Sequence, residues 1–352
     1  MNNTKKHKTY SGSDAIVEAA KRVGATLLTG YPITPSSEIM HSWVKEKIKN
    51  KKLKFIQSED EIAAIHTALG ASLAGSKAFT ATSGPGFSLM QEGLALGFAM
   101  QIPLVVINSQ RQGPATGMPT IASQGDVLQT QHGPHGDYTS IVFCPNSIKE
   151  LYELTIQAFN AAEECSSPVI LLTEAYMTNL REQENLEKTK VEIKKRTLKP
   201  LTKDNTSRHF TGLTKNKDGV ETFEAETYKN WIEERRNLIF KTGKKYSSFE
   251  LTENKKQNTL LISYGITSRI VDEIVKENSY SHFRPKTLFP VNEKVLKRIS
   301  KDYKNIIAIE MNEGQYAGKI QEKILKEVKR IRVLGAQPSK EDILKKIKDF
   351  TK

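Results

Sequence analysis

The chain has 352 residues, of which 38% are hydrophobic and 26% charged, and its formal net charge is +13. This composition favours a soluble globular protein long enough for two domains, and no apolar run approaches the ~20 residues that a membrane helix needs. Two cysteines, Cys144 and Cys165, are too few for a disulfide framework, and their spacing suits no zinc or iron–sulfur site, so we expect a reducing, cytoplasmic setting.

The excess positive charge lies in the second half of the chain. Residues 1–180 carry 14 Lys and Arg against 15 Asp and Glu, whereas residues 181–352 carry 39 against 25. A basic half can bind nucleic acid or an acidic partner, but we find no nucleic-acid-binding motif or aromatic platform in it. Lysine-rich, solvated helix faces explain the excess better, so neither nucleic acid nor a membrane is expected as a partner.

The first half of the chain alternates strand-like and helix-like segments. Helix 13–24 opens the series, with Gly24 past its end, and Pro35 begins the next helix. Ser147 and Glu150 are spaced as a capping box for a later helix. Strands are predicted over 25–30, 54–58, 77–83, 103–108, 140–144 and 168–173, with helices over 13–24, 35–48, 58–75, 87–100 and 146–165. This alternation predicts an α/β domain over 1–180, with a parallel sheet covered by helices on both faces.

The pattern breaks at residue 181 and resumes at residue 258. Residues 181–257 are charged and lack a core stripe, which indicates an interdomain linker with one surface helix over 226–245. A smaller second α/β domain is predicted over 258–352. Its predicted strands are 258–265, 286–291, 305–312 and 330–335, and its predicted helices are 269–278, 293–300, 321–330 and 340–350.

Four loops follow predicted strands of the first domain. They are residues 30–38, 58–61, 82–86 and 109–126. Ligands of parallel sheets bind at the carboxyl ends of the strands, so we expect these loops to gather at one sheet edge and to form the functional site. The loop over 109–126 is long, and long loops in compact domains are often functional.

Three features of these loops and their neighbours each have two interpretations. "TSGPG" (82–86) either cradles an anion at a helix start or makes a tight strand-to-helix turn. His132 and His135, near Asp137, could ligate a metal, although histidines in a glycine-rich loop are more often not ligands. Arg111 is the only Lys or Arg between Lys77 and Lys149. It is either a clamp for a carboxylate or phosphate or an ordinary surface arginine.

Glu61 stands before the small, apolar segment "IAAIHTALGASLAG". A carboxyl group at the mouth of so closely packed a helix would lose water, and its pKa should rise. Such an acid can share a proton with a ring nitrogen, as the aminopyrimidine of thiamine diphosphate requires. The alternative is that Glu59, Asp60 and Glu61 simply favour a helix N-terminus.

Four stretches match a known family in the same order: "GYPITPSSEIM", "QSEDEIAAIHTALGASLAGSKAFTATSGPGFSLMQEGL", "IPLVVINSQRQGPATGMPTIASQGDVLQ" and "HGPHGDY". They resemble the α subunit of 2-oxoacid:ferredoxin oxidoreductases. The resemblance is dense over residues 12–180 and looser further on, returning at "IIAIEMNEGQY". It implies a pyrimidine-binding domain of the thiamine-diphosphate-enzyme type over 1–180 and a transketolase C-terminal-like domain over 258–352.

The resemblance also implies roles for particular residues. Glu61 matches the glutamate that activates the aminopyrimidine, because its spacing to Gly70 and Gly75 fits that helix better than the spacing of Glu59 does. Thr34 and Arg111 match residues that contact the 2-oxo acid. The implied cofactor-binding residues are Tyr31, Pro32, Glu61, Ser83 and Gly84.

The implied activity is oxidative decarboxylation of a 2-oxo acid, with electrons passing to ferredoxin and the acyl group to coenzyme A. "TATSGPGFSLMQE" and "TGMPT…QGD" look most like 2-oxoglutarate enzymes, with branched-chain and pyruvate enzymes as alternatives. A separate β subunit is expected to carry Mg²⁺, the cofactor's diphosphate and a [4Fe–4S] cluster, and further ferredoxin-like or γ subunits are compatible with the family. A non-redox thiamine-diphosphate decarboxylase subunit is the other alternative.

Overall fold

The computed structural model describes residues 8–201, 210–216, 218–254, 257–335, 337 and 339–351. The strands are β1 (Lys8–Ser11), β2 (Ala25–Gly30), β3 (Lys54–Gln57), β4 (Lys77–Thr82), β5 (Leu104–Gln112), β6 (Met118–Ala122), β7 (Ile141–Phe143), β8 (Pro168–Glu174), β9 (Arg181–Glu184), β10 (Phe249–Thr252), β11 (Thr259–Ile262), β12 (Ser281–Pro285), β13 (Thr287–Phe289), β14 (Asn305–Glu310) and β15 (Lys329–Arg332). The helices are α1 (Gly12–Arg22), α2 (Ser37–Lys49), α3 (Glu61–Leu73), α4 (Gly84–Leu89), α5 (Gln91–Ala99), α6 (Gln129–His132), α7 (Ile148–Cys165), α8 (Ala175–Asn179), α9 (Ala225–Tyr246), α10 (Gly265–Asn278), α11 (Glu293–Ile299), α12 (Gln315–Ile324) and α13 (Lys340–Thr351). No helix among these residues is long and apolar enough to cross a membrane.

The larger sheet has the strand order β13-β7-β8-β5-β4-β2-β3, with β6 paired to β5 outside this path. The pairs from β7 to β3 are parallel, whereas β13 and β6 join antiparallel. Strand β5 lies near the middle and has β4 and β8 as parallel neighbours. The carboxyl ends of β2, β3, β4 and β5 therefore meet at one edge, as the sequence predicts.

Helices cover this sheet on both faces. Along β5, Val105 and Ile107 belong to one core cluster, with residues of α1, α2 and α7, whereas Leu104 and Val106 belong to another, with residues of α3 and α5. Successive strand residues point to opposite faces, so both faces of β5 are buried. The expected α/β fold class, with a mainly parallel sheet between helix layers, is confirmed.

The smaller sheet has the order β10-β12-β11-β14-β15 and is parallel except for β10. The chain between β12 and α11 departs from it, because β13 pairs with β7 at the edge of the larger sheet. Nearby, Glu150 of α7 accepts hydrogen bonds from both terminal nitrogens of Arg284 on β12. Strands β12 and β13 of the C-terminal region thus both contact the N-terminal region.

The charged segment from residue 181 has more structure than its sequence indicates. Strand β9 pairs antiparallel with β1. The helix predicted over 226–245 is present as α9, but it is not a simple surface helix, because Ile232 and Ile239 are buried in the first core cluster. Arg235 on the same helix donates to the carbonyl oxygens of Cys165 and Ser166 at the end of α7 (2.9 and 2.8 Å). Residues 202–209, 217, 255 and 256 of the predicted linker lie outside the described residues.

Several predicted elements differ from the structure. The single helix expected over 87–100 is two helices, α4 and α5, that meet at Met90. The helix expected over 321–330 is wrong, because α12 begins at Gln315 and residues from Lys329 form β15. Half of the predicted capping box is present: Ser147 Oγ accepts from the Glu150 backbone N–H, but the Glu150 carboxylate turns to Asn146 N and Arg284.

Candidate functional site

Glu61 is the first residue of α3, and its carboxyl group points into the protein. Asp60 caps the helix by accepting from the Ala63 backbone N–H (2.7 Å). Glu61 is 4% exposed, whereas Glu59 is exposed. Of the two candidate carboxylates, Glu61 therefore has the buried environment expected of a tuned acid.

The Glu61 carboxyl group lies close to the start of α4. A Cβ atom at Gly86 would stand 2.2 Å from Glu61 Oε1 and 2.3 Å from Thr82 Oγ1. Real Cβ atoms essentially never come so close to another heavy atom. Glycine at this position of "TSGPG" thus makes room for the carboxyl group. The absence of a side chain here allows α3 and the end of β4 to lie close together.

Three polar atoms at this junction have no hydrogen-bond partner among the described residues: Glu61 Oε1, Thr82 Oγ1 and Ser83 Oγ, all buried. Buried polar groups in folded proteins are almost always hydrogen-bonded, so a cluster of unpaired ones calls for an explanation. A ligand with nitrogen donors and acceptors, or a partner chain that brings one, would satisfy these atoms.

The electrostatic environment of Glu61 favours its neutral form. Burial raises the pKa of the Glu61 carboxyl, and the charge of Asp60 adds to this, while the helix-start N–H and Arg111 oppose it. Burial disfavours a charge because water no longer solvates it. A carboxyl with a raised pKa is suited to give and take a proton near neutral pH.

Arg111 lies at the end of β5 rather than in a loop. The expected loop over 109–126 is in large part a hairpin, because β5 continues to Gln112 and Arg111 pairs with Ala122 of β6. Arg111 is 6% exposed, and its Nη1 donates to the Thr34 carbonyl oxygen (2.8 Å). Burial lowers the pKa of the guanidinium, with Asp126 and Glu61 acting in the opposite direction. The arginine is a positioned, buried cation and not an ordinary surface residue.

A cleft of about 630 Å³ opens beside Arg111. Its walls come from the start of α4, the β5–β6 hairpin and the residues that follow it, the segment between β14 and the start of α12, and Leu334 after β15. Its lining residues are Gly84, Pro85, Ser88, Arg111 to Ala115, Ser123, Gly125, Asp126, Gln129, Met311, Asn312, Glu313, Gln315 and Leu334. The cleft is large enough for a small organic ligand.

The residues predicted from sequence do not all face this cleft. Gly84 and Arg111 line it, and Ser83 is buried next to Gly84 in the chain. Tyr31 is 39% exposed, and Pro32 lines a different cavity of about 470 Å³ that also includes Met40. Thr34 is exposed and meets Arg111 through its carbonyl oxygen. Their roles toward a ligand stay predictions.

Asp126 also lines the cleft, although its sequence context does not single it out. Its Oδ2 accepts from Asn108 Nδ2 (2.9 Å), and its backbone N–H donates to Gln110 Oε1 (3.0 Å). Burial raises its pKa, while Asn108 and Arg111 oppose the rise. The available signal was its position at the end of a polar loop after a buried strand.

The C-terminal region also contributes to the cleft, which could not be foreseen from the predicted domain division. Gln124 donates to Glu174 and to the Tyr264 carbonyl, and accepts from the Met311 N–H. Gln315 completes the junction by donating to the Gly125 carbonyl and accepting from the Leu128 N–H. These contacts fix the segment after β14 against the hairpin. The sequence feature that could have revealed these contacts is the polar segment directly after the buried strand β14.

His132 and His135 do not form a metal site in the part of the chain that the structure describes, where no group of three or more His, Cys, Asp or Glu is arranged to hold a metal ion. His135 is exposed, with its Nδ1 3.5 Å from Glu92 Oε2. Both cysteines are buried.

The model of the family "pyruvate flavodoxin/ferredoxin oxidoreductase, thiamine diphosphate-binding" matches residues 18–245. The chain is 38% identical to 2-oxoglutarate synthase subunit KorA of Archaeoglobus fulgidus, over 91% of this chain and 90% of the relative. It is 30% identical to ketoisovalerate oxidoreductase subunit VorB of Methanothermobacter marburgensis, over 86% of each.

A solved structure shares the fold of the whole chain. It is the 2-oxoglutarate:ferredoxin oxidoreductase from Magnetococcus marinus with 2-oxoglutarate, coenzyme A and succinyl-CoA bound, at a TM-score of 0.91 and 26% identity. The match covers 100% of this chain and 66% of the solved one.

Proposed function

This chain belongs to the pyruvate flavodoxin/ferredoxin oxidoreductase family, and we propose that it is the α subunit of an enzyme that oxidatively decarboxylates a 2-oxo acid. The products are carbon dioxide and an acyl-CoA, and two electrons pass singly to ferredoxin. The substrate we favour is 2-oxoglutarate. The observation that carries the proposal is the buried Glu61 carboxyl, held against Gly86 with an unpaired oxygen.

In this proposal Glu61 binds the aminopyrimidine ring of thiamine diphosphate. The cofactor supplies the nucleophilic carbon and the electron sink for decarboxylation. The carboxyl group of Glu61 holds and releases a proton at a ring nitrogen, for which burial has tuned it. The unpaired hydroxyls of Thr82 and Ser83 are available to the same ligand. Tyr31, Pro32 and Gly84 are proposed as further cofactor contacts.

Arg111 and Thr34 are proposed to hold the 2-oxo acid. Arg111 is a buried cation on the cleft wall, and a guanidinium binds a carboxylate through two parallel hydrogen bonds. The Thr34 carbonyl orients the guanidinium through Nη1, while Nε has no partner among the described residues. The substrate carboxylate would therefore meet a charge that is already positioned.

A separate β subunit is proposed to supply what this chain does not offer. A [4Fe–4S] cluster needs four thiolates, and Cys144 and Cys165 are both buried in the core clusters. The β subunit would carry the cluster, Mg²⁺ and the diphosphate-binding residues, and would transfer electrons to ferredoxin. Additional ferredoxin-like or γ subunits fit the same scheme, and a cytoplasmic location is proposed with it.

A branched-chain 2-oxo acid is the second candidate substrate, because the VorB relative also aligns along most of the chain. KorA relatives match at higher identity, up to 38% against 30%. This difference favours 2-oxoglutarate. If pyruvate were the substrate, it would have the highest kcat/KM, and a non-redox decarboxylase would release carbon dioxide without reducing ferredoxin.

The test is an assay of the chain co-produced with its β partner. The complex is supplied with thiamine diphosphate, Mg²⁺, coenzyme A and ferredoxin, and with 2-oxoglutarate, 2-oxoisovalerate or pyruvate. We expect ferredoxin reduction that needs both coenzyme A and a 2-oxo acid, with the highest kcat/KM for 2-oxoglutarate. Release of carbon dioxide without ferredoxin reduction would replace the proposal with the non-redox decarboxylase.

A further inference from the structure

Asp126 is a fixed carboxyl group on the wall of the cleft. Asn108 Nδ2 donates to its Oδ2 (2.9 Å), and its own backbone N–H is tied to Gln110 Oε1 (3.0 Å). Asn108 and Gln110 belong to β5, which also carries Arg111. Strand β5 thus positions two ionisable groups at the same cleft: it carries the Arg111 guanidinium, and its Asn108 and Gln110 side chains hold Asp126 in place.

Asp126 and Arg111 face the same cleft without direct pairing. Among the described residues, no salt bridge within 4.0 Å involves either side chain, although each lowers the cost of the other's charge. The guanidinium instead donates through Nη1 to the Thr34 carbonyl. Both charged groups therefore remain available to a ligand between them or beside them.

We propose that the charge of Asp126 decides whether the cleft accepts a 2-oxo acid with one carboxylate or with two. The inference rests on the proposed function, because it assumes that Arg111 takes the carboxylate next to the 2-oxo group. A second carboxylate in the same cleft then lies within the field of Asp126. The protonated carboxyl of Asp126 can donate a hydrogen bond to it, whereas the ionised form repels it.

This arrangement makes the substrate preference depend on pH. Burial raises the pKa of Asp126 above its ordinary value, so the neutral form persists to higher pH than in a solvated aspartate. As pH rises through that pKa, the carboxyl loses its proton, and a diacid loses affinity relative to a monoacid. The ratio of kcat/KM for 2-oxoglutarate to that for 2-oxoisovalerate should therefore fall.

Other charged groups around Asp126 do not produce the same effect. Arg111 keeps its charge throughout the neutral range. Glu61, on α3, acts on both substrates alike in the proposed mechanism, so its titration cancels in the ratio. Glu313, after β14, lines the cleft but is exposed and paired with Arg332 (2.7 Å).

The variants are Asp126→Asn and, as a control outside the cleft, Glu92→Gln. Asparagine keeps the size of Asp126 and can still accept from Asn108 through its carbonyl oxygen, but it carries no charge. Glu92→Gln removes an exposed carboxylate of α5 that does not line the cleft. If Asp126→Asn does not fold, Asp126→Ser removes the same charge with a smaller side chain.

The experiment measures kcat/KM for 2-oxoglutarate and 2-oxoisovalerate in the complete complex, over the whole pH range in which the complex is stable. Where Asp126 is ionised, we expect Asp126→Asn to raise the diacid-to-monoacid ratio roughly tenfold, the effect of removing one nearby charge, and to flatten the pH dependence of this ratio. Glu92→Gln should leave both unchanged. A wild-type ratio and pH slope in Asp126→Asn, or the same change in Glu92→Gln, would overturn the inference.

A binding measurement separates this inference from the proposed function. Dissociation constants of the two acids are measured by calorimetry in the complex without thiamine diphosphate and coenzyme A, so that neither acid reacts. If neither acid is turned over but Asp126→Asn still shifts the ratio of the two dissociation constants, the proposed function fails and the inference stands. If neither acid binds, both fail.

Discussion

Replacing Gly86 with alanine should displace the Glu61 carboxyl group. The new Cβ would stand 2.2 Å from Glu61 Oε1, 2.5 Å from Glu61 Cδ and 2.3 Å from Thr82 Oγ1. An ordinary contact lies at 3.4–4 Å, so the carboxyl group must retreat by about 1 Å or more. Glu61 is the more mobile neighbour, because its carboxyl is the far end of a flexible side chain.

The magnitude follows from this displacement. Inserting a methyl group into a packed site typically costs ~1–3 kcal/mol of unfolding free energy, which a chain of this size can tolerate. A misplacement of ~1 Å at a catalytic group can lower the rate by ~100-fold. Gly86→Ala should therefore fold and assemble with the β subunit, yet lose about 99% of its turnover.

Gly70 on α3 provides the matched control. A Cβ at Gly70 would meet no atom within 4 Å, and alanine within a helix is favoured over glycine by ~0.5–1 kcal/mol. Gly70→Ala should keep its turnover and gain a small amount of stability. The assay measures kcat with thiamine diphosphate saturating, together with thermal unfolding of both variants. Wild-type kcat in Gly86→Ala would show that turnover does not depend on the position of the Glu61 carboxyl group.

Three further predictions concern charged groups. Arg111→Lys should raise KM for the 2-oxo acid by at least about tenfold in steady-state kinetics, because a point charge replaces a bidentate donor, while affinity for thiamine diphosphate changes little. An unchanged KM together with weaker cofactor binding in a titration would exclude a substrate clamp. Arg284→Met should lower the free energy of unfolding by ~3 kcal/mol, because the buried Glu150 carboxylate loses two hydrogen bonds from the guanidinium and keeps only Lys286 as a cationic partner. Arg332→Met, at an exposed pair, should cost no more than ~1 kcal/mol, and equal losses in denaturant titration would contradict this. Burial raises the pKa of Glu174 from 4.5 to about 8, so the wild-type chain should lose stability, by a few kcal/mol in all, as pH rises between these values. Glu174→Gln should remove that loss. If chemical denaturation shows the same pH dependence of the unfolding free energy in both proteins, Glu174 is ionised in the folded state.

The sequence predicts the parallel strands of the larger sheet because their signals are local, but it does not predict that β6 and β13 join this sheet. Buried parallel strands such as β4 and β8 are short runs rich in apolar and β-branched residues, and helices such as α7 have capping residues and a core stripe. The helix prediction over 321–330 is wrong because it also relied on local signals. The segment "KEVKR" contains helix-forming residues, but pairing with β14 makes Lys329–Arg332 a strand. Long-range strand pairing overrides local propensity there.

The site was predictable where a residue's chemistry is unusual for its place in the chain. Glu61 before an apolar helix and the isolated Arg111 both stand out in this way. Asp126 and Gln124 do not, because their importance comes from contacts that the fold creates, with Asn108 on β5 and with Met311 after β14. Likewise, the exposure of Tyr31 and Thr34 could be learned only from the structure.

The most direct test of the account compares Glu61→Gln with Glu59→Gln in the reconstituted complex, with thiamine diphosphate saturating. Glutamine nearly preserves the shape of either side chain but cannot exchange a proton with the cofactor ring. The account predicts that kcat falls by at least ~100-fold in Glu61→Gln, the lower range for a general acid–base role. It predicts little change in Glu59→Gln, since a carboxylate at a helix start contributes only ~1 kcal/mol. An inactive Glu59→Gln beside a Glu61→Gln that keeps most of its turnover would contradict it.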